Sequence, residues 1–189
     1  MRVAVCVIAR MEGKYIKEFI QDYKNLGFSN IIFCDNDHDG DDEDIVSIIK
    51  DYIDDGFVIY EDCRNLVNSQ VKVYTKMYKK YGNDFDWLLM IDADEFLTFT
   101  KDKNVSEFLS KFPSDCEVVV ANWAQYGDNG HIYADYSKPL KERFTEARPN
   151  ARSQYDFVDD CHIKSFVRGG LPYVVWYSNP HIHTKPVVC

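Results

Sequence analysis

The chain has 189 residues, of which 46% are hydrophobic and 15% aromatic, so it is long enough for one domain with a substantial core. Its formal net charge of −9 argues against a general nucleic-acid binder, which presents a basic face. No apolar run approaches the roughly 20 residues of a membrane-spanning helix, and the N-terminus lacks a signal-peptide cleavage site. We therefore expect a cytoplasmic protein without a transmembrane segment, and peripheral association with the inner face of the membrane is left open. The six cysteines form no CxxC pair, so neither structural zinc nor disulfides are expected.

The first 121 residues alternate between buried-strand and helical patterns. Short apolar runs predict strands over 2–9, 31–34, 57–60, 87–91 and 117–121. Apolar residues at steps of three and four predict helices over 14–26, about 69–81 and 106–112, and the acidic run 41–44 predicts the start of a helix that ends near residue 54. This alternation predicts an α/β fold with a central, mostly parallel sheet flanked by helices.

The regular pattern fades beyond the fifth predicted strand. Gly, Asn, Asp and Pro break up residues 126–160, and strand-like pieces return at 163–167 and 173–176. We interpret residues 122–189 as a loop-rich cap on the sheet, so that the whole chain forms a single domain.

The most informative stretch is the fourth predicted strand, residues 87–91, which leads into Asp92-Ala93-Asp94. Ionised carboxylates at the end of a buried strand need partners, and a divalent cation satisfies several of them at once. Ligands of open α/β sheets bind where the carboxyl ends of the strands emerge. An extended backbone would place the Asp92 and Asp94 side chains on the same side. We expect them to bind Mg²⁺ or Mn²⁺ facing a phosphorylated ligand, and a solvated acidic turn is the alternative.

A second acidic tract, residues 35–44, follows the second predicted strand. Its opening matches a calcium-binding EF-hand loop, with acids at the first, third and fifth places and Gly at the sixth. The match fails at Asp42, where an apolar residue is expected, and at Val46, where a bidentate Glu is expected. A solvated turn with a helix cap is the simpler interpretation for most of the tract. Asp35 differs because it lies at a strand end, where a carboxylate can accept hydrogen bonds from a base or ribose.

Two pairs of residues near the C-terminus add to the candidates. His181 and His183 would face the same side of an extended backbone, where one of them could complete a metal site; a pair of surface histidines is the alternative. Lys164 and Arg168 are interpreted either as a clamp on a diphosphate or as an ordinary solvated pair.

Short blocks of sequence along most of the chain, taken in order, resemble the GT-A-fold glycosyltransferases of the family 2-like and family 92-like group. The blocks are Arg10-Met11-Glu12, Leu26-Gly27, Ile31 to Asp37, Gln70 with Tyr74, Asp86 to Phe96, Trp123-x-x-Tyr126-Gly127-Asp128-x-Gly130-His131, Glu142-Arg143-Phe144 and Lys164-x-x-x-Arg168. Asp92-Ala93-Asp94 is the most specific block. The chain stops at Cys189, where related enzymes often continue, so we expect either a short member of the group or a fragment.

The resemblance implies transfer of a sugar from a nucleotide-diphosphate donor, such as a UDP-sugar, to a hydroxyl of a glycan or lipid-linked glycan acceptor. It implies that Asp92 and Asp94 hold Mn²⁺ or Mg²⁺, with His183 or His181 as a third protein ligand. Residues 1–121 would form the nucleotide-sugar-binding half. The residues that the resemblance and the strand ends assign to the donor are Ala9, Arg10, Glu12, Asp35, Asn36, Gln70, Ala93, Lys164 and Arg168.

The resemblance further implies inversion at the anomeric carbon and a role in cell-surface polysaccharide or lipopolysaccharide assembly. The acceptor hydroxyl needs a carboxylate base, for which Asp128 is the first candidate and Glu95 the second. Residues 122–189 would form the acceptor side.

Two other functions stay open. One is a different metal- and phosphate-dependent enzyme, a nucleotidyltransferase or a phosphatase; a haloacid-dehalogenase-type phosphatase also carries acid-x-acid after a strand, but normally after the first. The other is a non-catalytic module that binds calcium or carbohydrate through residues 35–46.

Overall fold

The computed structural model describes residues 1–41, 43–67, 70–133, 135–147, 163–172 and 174. The strands are β1 (Val3–Ala9), β2 (Asn30–Asp35), β3 (Val58–Asp62), β4 (Trp87–Met90), β5 (Val118–Asn122) and β6 (Ile163–Arg168). The helices are α1 (Ile16–Asn25), α2 (Ile45–Asp54), α3 (Gln70–Tyr81), α4 (Val105–Leu109) and α5 (Leu140–Arg143). The six strands and the first four helices therefore confirm the predicted elements. The sequence pattern does not predict α5, and most of the predicted strand at 173–176 lies outside the described residues.

The six strands form one sheet in the order β3-β2-β1-β4-β6-β5. Parallel pairs join β1 to β2, β1 to β4 and β2 to β3, whereas β6 runs antiparallel to both of its neighbours. This mostly parallel sheet, flanked by helices, confirms the predicted α/β class. The chain winds outward from β1 to β3 and then crosses back to place β4 on the other side of β1. The winding direction thus switches between β1 and β4, whose carboxyl ends flank the crevice where open α/β sheets bind ligands.

Apolar layers cover both faces of the sheet. Helix α1 packs on one face through Phe19 and Tyr23, and α3 packs on the other through Tyr74 and Met77; all four side chains are fully buried. Residues of β1 alternate between the two layers, with Val3, Val5, Val7 and Ala9 in the first and Ala4 and Cys6 in the second. A strand buried on both faces requires the continuous apolar run that the sequence carries here.

Local signals at the helix ends behave as the sequence predicts. Gly27 follows α1 with a φ of +83°, a left-handed conformation that glycine adopts without strain. The Asp44 side chain caps α2 by accepting the N–H of Ser47 at 3.1 Å. Cys6, Cys34, Cys63 and Cys116 are buried free thiols, whereas Cys161 and Cys189 lie outside the described residues. Within the described part of the chain, no helix has the length and apolar character needed to cross a bilayer.

Candidate functional site

The acid-x-acid stretch forms a turn at the end of β4. The strand ends at Met90, and the N–H of Glu95 donates to the carbonyl oxygen of Asp92 at 3.2 Å. The expected extended backbone through this stretch is therefore wrong, because a β-turn reverses the chain within four residues. As a result Asp94 is exposed, Ala93 is buried and Asp92 is partly buried.

A buried lysine lies between two acids of this turn. Lys164 of β6 is 3% exposed, and its Nζ lies 2.6 Å from Asp92 Oδ2 and 2.9 Å from Glu95 Oε2. Gln70, the first residue of α3, donates to Asp92 Oδ1 at 2.6 Å. The ring of Trp123 lies 5.3 Å from the Lys164 ammonium. A buried charge is tolerated only when it is paired in this way, so the lysine and the two acids fix one another.

The ionisation of Glu95 is strongly perturbed by this position. Burial raises the pKa of Glu95 to about 7, against the opposing attraction of the Lys164 ammonium. A carboxyl group that titrates near neutrality can exchange a proton at physiological pH, which an ordinary surface glutamate does poorly.

Strand β2 brings a second buried acid to the same edge of the sheet. Asp35 is 3% exposed and accepts the hydroxyl of Tyr60 at 2.7 Å and the N–H of Asp37 at 2.9 Å. Asp37 in turn accepts the N–H of Met11 at 2.7 Å, while burial raises the pKa of Asp37. These acids hold the loops after β1 and β2 together.

The carboxyl end of β1 is tied to the same loops. The carbonyl oxygen of Ala9 accepts the N–H of Asn36 at 2.8 Å, and the Asn36 side chain donates to the carbonyl of Cys63 at 2.7 Å. The Arg10 guanidinium pairs with the Asp41 carboxylate, with Nε 2.8 Å from Oδ2 and Nη2 3.0 Å from Oδ1. This guanidinium holds the pKa of the Asp41 carboxyl at about 2. Asn36 therefore has a structural role, whereas the Arg10 side chain is half exposed.

These loops line a cavity of about 280 Å³ beyond the end of β2. The lining residues are Asp35, Asp37, His38, Asp39, Gly40, Asp41, Glu43, Asp44, Ile45, Val46 and Arg64. Asp35 and Asp37, which would begin an EF-hand loop, instead accept the hydrogen bonds described above, and Asp39 accepts one from the Asn65 side chain at 3.1 Å, so their local geometry favours loop closure over a calcium loop.

Glu12 lies between the two groups of acids. Its Oε2 is buried without a hydrogen-bond partner among the described residues, and its carboxylate is hydrogen bonded to Tyr15. Burial raises the pKa of Glu12, and the negative charges of Asp94, Glu43 and Asp37 add to that effect. An unpartnered buried oxygen beside further carboxylates is a feature that a bound cation would satisfy.

Asp94 and Glu12 supply carboxylate oxygens, the type of donor that suits a hard divalent cation. Asp94 is exposed, and no hydrogen bond or ion pair joins its carboxylate to another described residue. Carboxylate oxygens that remain accessible are the ligands that Mg²⁺ and Mn²⁺ prefer. Within the described residues, however, no three His, Cys, Asp or Glu side chains form a ready metal site. His181 and His183 lie outside the described residues.

Arg168 is not brought to this group. In the register of β4 with β6, Arg168 pairs with Trp87 at the start of β4, whereas Asp92 follows the end of that strand. Its guanidinium donates to the carbonyl oxygens of Pro113 at 3.1 Å and Cys116 at 2.5 Å. Four residues of strand separate it from Lys164 by about 13 Å, so the two side chains do not clamp one diphosphate.

Asp128 belongs to a separate loop. Its carboxylate accepts the N–H of Gly130 at 2.9 Å, and its backbone carbonyl accepts the N–H of His131 at 2.9 Å. The loop lines a cavity of about 380 Å³ with Gln125–Gly130, Glu146 and Ala147. None of the residues paired with Lys164 lines this cavity.

Two aromatic residues of the site are not among the residues predicted to function there. Tyr60 donates its hydroxyl to Asp35, and Trp123 lies against Lys164. The feature of the sequence that could have indicated Tyr60 is its position near the end of β3, the strand next to β2. Trp123 is marked only by its block in the family resemblance.

Comparisons with known proteins give structural similarity alone. No protein-family model matches the sequence, and a search of curated proteins gives no match. S. aureus TarS 1–349 in complex with UDP-GlcNAc is 18% identical over 63% of this chain and 33% of that chain, with a TM-score of 0.44. The mannosyltransferase PcManGT from Pyrobaculum calidifontis, in complex with GDP-Man and Mn²⁺, is 12% identical over 62% of this chain and 34% of that chain, with a TM-score of 0.46. The matched part thus spans about a third of each of those chains.

A further structure, CMP:2-keto-3-deoxy-manno-octonic acid synthetase complexed with CTP, is 12% identical over 89% of this chain and 74% of that chain, with a TM-score of 0.45. All three scores lie below 0.5 and all identities below 25%, so we infer the function from the residues of this chain instead.

Proposed function

We propose that this chain is a glycosyltransferase domain that binds a nucleoside-diphosphate sugar at the carboxyl ends of β1, β2 and β4 and transfers the sugar to an acceptor hydroxyl. The observation that carries the proposal is the buried pairing of Lys164 with Asp92 and Glu95 at the topological switch point. Buried, interlocked charges at the place where this class of sheet binds ligands favour a functional site over a solvated acidic turn. The ordered blocks of the family resemblance, above all Asp92-Ala93-Asp94, support a sugar nucleotide as the ligand.

Each part of the site has a task in this proposal. The Asp35 carboxylate, already held by Tyr60, would accept hydrogen bonds from the nucleoside. Asp94 and the unpartnered oxygen of Glu12 would hold a Mg²⁺ or Mn²⁺ ion. When bound, that cation supplies positive charge to the diphosphate as the sugar–phosphate bond breaks. Lys164 keeps Asp92 in one orientation through its ion pair at 2.6 Å.

Glu95 is the favoured base for the acceptor hydroxyl. Its Oε2 is held by Lys164 at 2.9 Å, which leaves Oε1 to take the proton. Its pKa of about 7 means that roughly half of the carboxyl groups are ionised at neutral pH. Asp128 is the alternative, but its carboxylate binds Gly130 within its own loop.

Binding of UDP in the presence of Mn²⁺ tests the proposal. We expect UDP with millimolar Mn²⁺ to raise the melting temperature of the wild-type chain, because a ligand that binds only the folded state stabilises it. Asp94→Asn should abolish the rise, because it removes an accessible anionic ligand without changing shape. The matched control is Asp84→Asn, an exposed aspartate beyond the amino end of β4, which should behave as wild type.

Other outcomes separate the alternatives. Absence of any UDP effect at millimolar Mn²⁺ would contradict the proposal, and so would an unchanged response in Asp94→Asn. Turnover of nucleoside triphosphates or phosphomonoesters without a sugar acceptor would favour a nucleotidyltransferase or a phosphatase instead.

A further inference from the structure

Two cationic side chains share one exposed tyrosine ring near the carboxyl ends of β1, β2 and β4, hereafter the proposed donor edge. The Lys14 ammonium lies 4.5 Å from the centroid of the Tyr136 ring, and the Arg143 guanidinium lies 5.2 Å from the same centroid. Tyr136 is 57% exposed. Two like charges beside one ring repel each other, and an anion between them relieves that repulsion.

Arg143 is an unusual member of this pair because it is buried. It is 8% exposed, its guanidinium also lies 5.4 Å from the Phe144 ring, and its buried Nε lacks a hydrogen-bond partner among the described residues. Arginine is almost never buried without a carboxylate or another acceptor. The charge of Arg143 acts on Asp135, but the N–H and hydroxyl of Ser137 are the main cause of the lowered pKa of that carboxyl, and the Lys138 ammonium lies 3.9 Å from it.

The backbone around Arg143 is anchored by hydrogen bonds to two other parts of the chain. Glu18 of α1 accepts the N–H groups of Leu140 at 2.7 Å and Lys141 at 3.3 Å. The carbonyl oxygen of Arg143 accepts the side-chain amide of Asn129 at 3.1 Å. A buried Nε–H that has no partner in the described part of the chain, on an anchored backbone, favours a ligand at this position.

This cluster lies next to the acids of the proposed donor edge. Tyr15 links the two: it is hydrogen bonded to Glu12, and burial, Glu12 and the proximity of Asp94 and Tyr136 raise the pKa of its hydroxyl. Lys141, two residues before Arg143, places its ammonium 5.2 Å from the ring of Phe96. Through Tyr15 and Lys141, the segment that carries Arg143 therefore adjoins Glu12 and Phe96, and we take a molecule bound at Arg143 to lie on that side of the donor.

We propose that Arg143 and Lys14, on either side of the exposed ring of Tyr136, form an acceptor subsite that binds a carboxylate or phosphate group carried by the acceptor saccharide. The planar guanidinium donates paired hydrogen bonds to such a group, and the lysine adds a second positive charge. On a chain of net charge −9, this local reversal of sign selects acidic acceptors over neutral ones. The inference rests on the proposed function, because it takes the neighbouring edge as the donor site.

Binding of three monosaccharide probes tests the subsite. Glucuronate carries a carboxylate, glucose 6-phosphate carries a phosphate, and glucose carries neither. We expect at least one of the anionic sugars to bind the wild-type chain, measured by titration in nuclear magnetic resonance with and without UDP and Mn²⁺, and glucose to bind at least tenfold more weakly. The anionic sugar that binds more tightly identifies the chemical source of the anion.

Matched variants assign the effect to these residues. Arg143→Gln and Lys14→Gln should each weaken the anionic sugar about tenfold or more, as expected for a charge-assisted hydrogen bond. Arg143→Lys should restore part of the affinity. Two control variants should leave the affinity unchanged. One is Lys17→Gln, at an exposed lysine of α1, and the other is Arg2→Gln, at an arginine that lies over the Phe85 ring before β1. If Arg143→Gln does not fold, the exposed Lys14 variant still decides the matter.

The proposal fails if glucose binds as well as the anionic sugars, or if the Lys14 and Arg143 variants bind them like wild type. It also fails if these variants weaken UDP itself, because the cations would then serve the donor phosphates. A different outcome separates the two proposals. If the chain binds the anionic sugars through Arg143 but does not bind UDP, the subsite is supported and the proposed function as a sugar-nucleotide transferase is contradicted.

Discussion

Replacement of Glu95 by glutamine should change the pH dependence of stability in a calculable way. In the unfolded chain the carboxyl group titrates at its ordinary pKa of about 4.5, whereas in the folded chain burial raises the pKa to about 7. The folded state therefore binds more protons than the unfolded state between these two pH values. Because the unfolded state binds fewer protons there, the free energy of unfolding falls as the pH rises through this window.

The size of the effect follows from the distance between the folded and unfolded pKa values. A tenfold change in a proton-binding constant corresponds to about 1.4 kcal/mol, so wild type loses about 3 kcal/mol from this group between pH 4.5 and 7.5. The Glu95 side chain is 21% exposed, so solvent screening removes little of this amount. Glutamine resembles the protonated acid and cannot ionise, so Glu95→Gln lacks this loss. Glu12 and Asp37, whose pKa values are also raised, are present in both proteins and cancel in the difference.

Urea unfolding at a series of pH values, with a chelator present, measures the difference between the two proteins. The free energy of unfolding of the Gln variant should rise relative to that of wild type by about 3 kcal/mol between pH 4.5 and pH 7.5, and most of this rise should occur between pH 5 and 7. A difference in the free energy of unfolding that is the same at every pH would reflect the altered contact with Lys164 and is not part of the prediction. A difference that stays flat across this range, or that grows in favour of wild type, would refute the reasoning that burial dominates the ionisation of Glu95.

Two further variants test the packing around the site and the sheet. Lys164→Met leaves the paired acids without a counter-charge, so it should destabilise the protein by about 3–5 kcal/mol at pH 8. The loss should be smaller at pH 5, where Glu95 is protonated. Urea unfolding at both pH values measures the two losses. A Cβ added at Gly169 would lie 1.9 Å from the carbonyl oxygen of Phe85, so Gly169→Ala should cost about 1–3 kcal/mol. Gly127→Ala is its control, because a Cβ there meets no atom within 4 Å, and its melting curve should match wild type; equal melting of the two glycine variants would contradict the packing.

Much of the fold could be predicted because its elements are local patterns. The run at residues 87–91 has no charge to place in water, so a strand buried on both faces is its natural structure. Gly27 and Asp44 mark helix ends through their own backbone and side-chain chemistry. Helix α5 carries no such signal, because it is four residues long and is held by Glu18 of α1, 122 residues away in sequence.

The site could be predicted only in outline. Strand ends predict which residues reach the carboxyl edge, and Ala9, Asp35 and Asp92 lie there as that reasoning expects. Pairing across strands depends on strand order, which no local pattern contains. Sequence spacing therefore groups Lys164 with Arg168, whereas the antiparallel register of β6 directs Lys164 to Asp92 and sends Arg168 to the far end.

The turn after β4 escapes prediction for a related reason. Aspartate is depleted in strands and enriched in turns, so local propensity at Asp92-Ala93-Asp94 favours a turn, but it is weak beside the apolar run that precedes it and does not fix where the strand ends. The turn is stabilised by partners that lie elsewhere in the chain, such as Lys164 and Tyr23, whose hydroxyl donates to the carbonyl of Glu95 at 3.1 Å. Tertiary contacts therefore decide which way the two carboxylates face.

That turn divides the acids of the proposed donor edge into two sets with different electrostatic needs. The inner set, Asp92 and Glu95, shares one buried ammonium, and its excess charge is removed when Glu95 takes up a proton near neutral pH. The outer set, Asp94 and Glu12, forms no ion pair with a described residue, and burial already raises the pKa of Glu12. A diphosphate that approaches this outer set meets repulsion unless a cation comes with it. Under the proposed function, the inner set would fix the shape of the site, whereas the outer set would make donor binding depend on the metal.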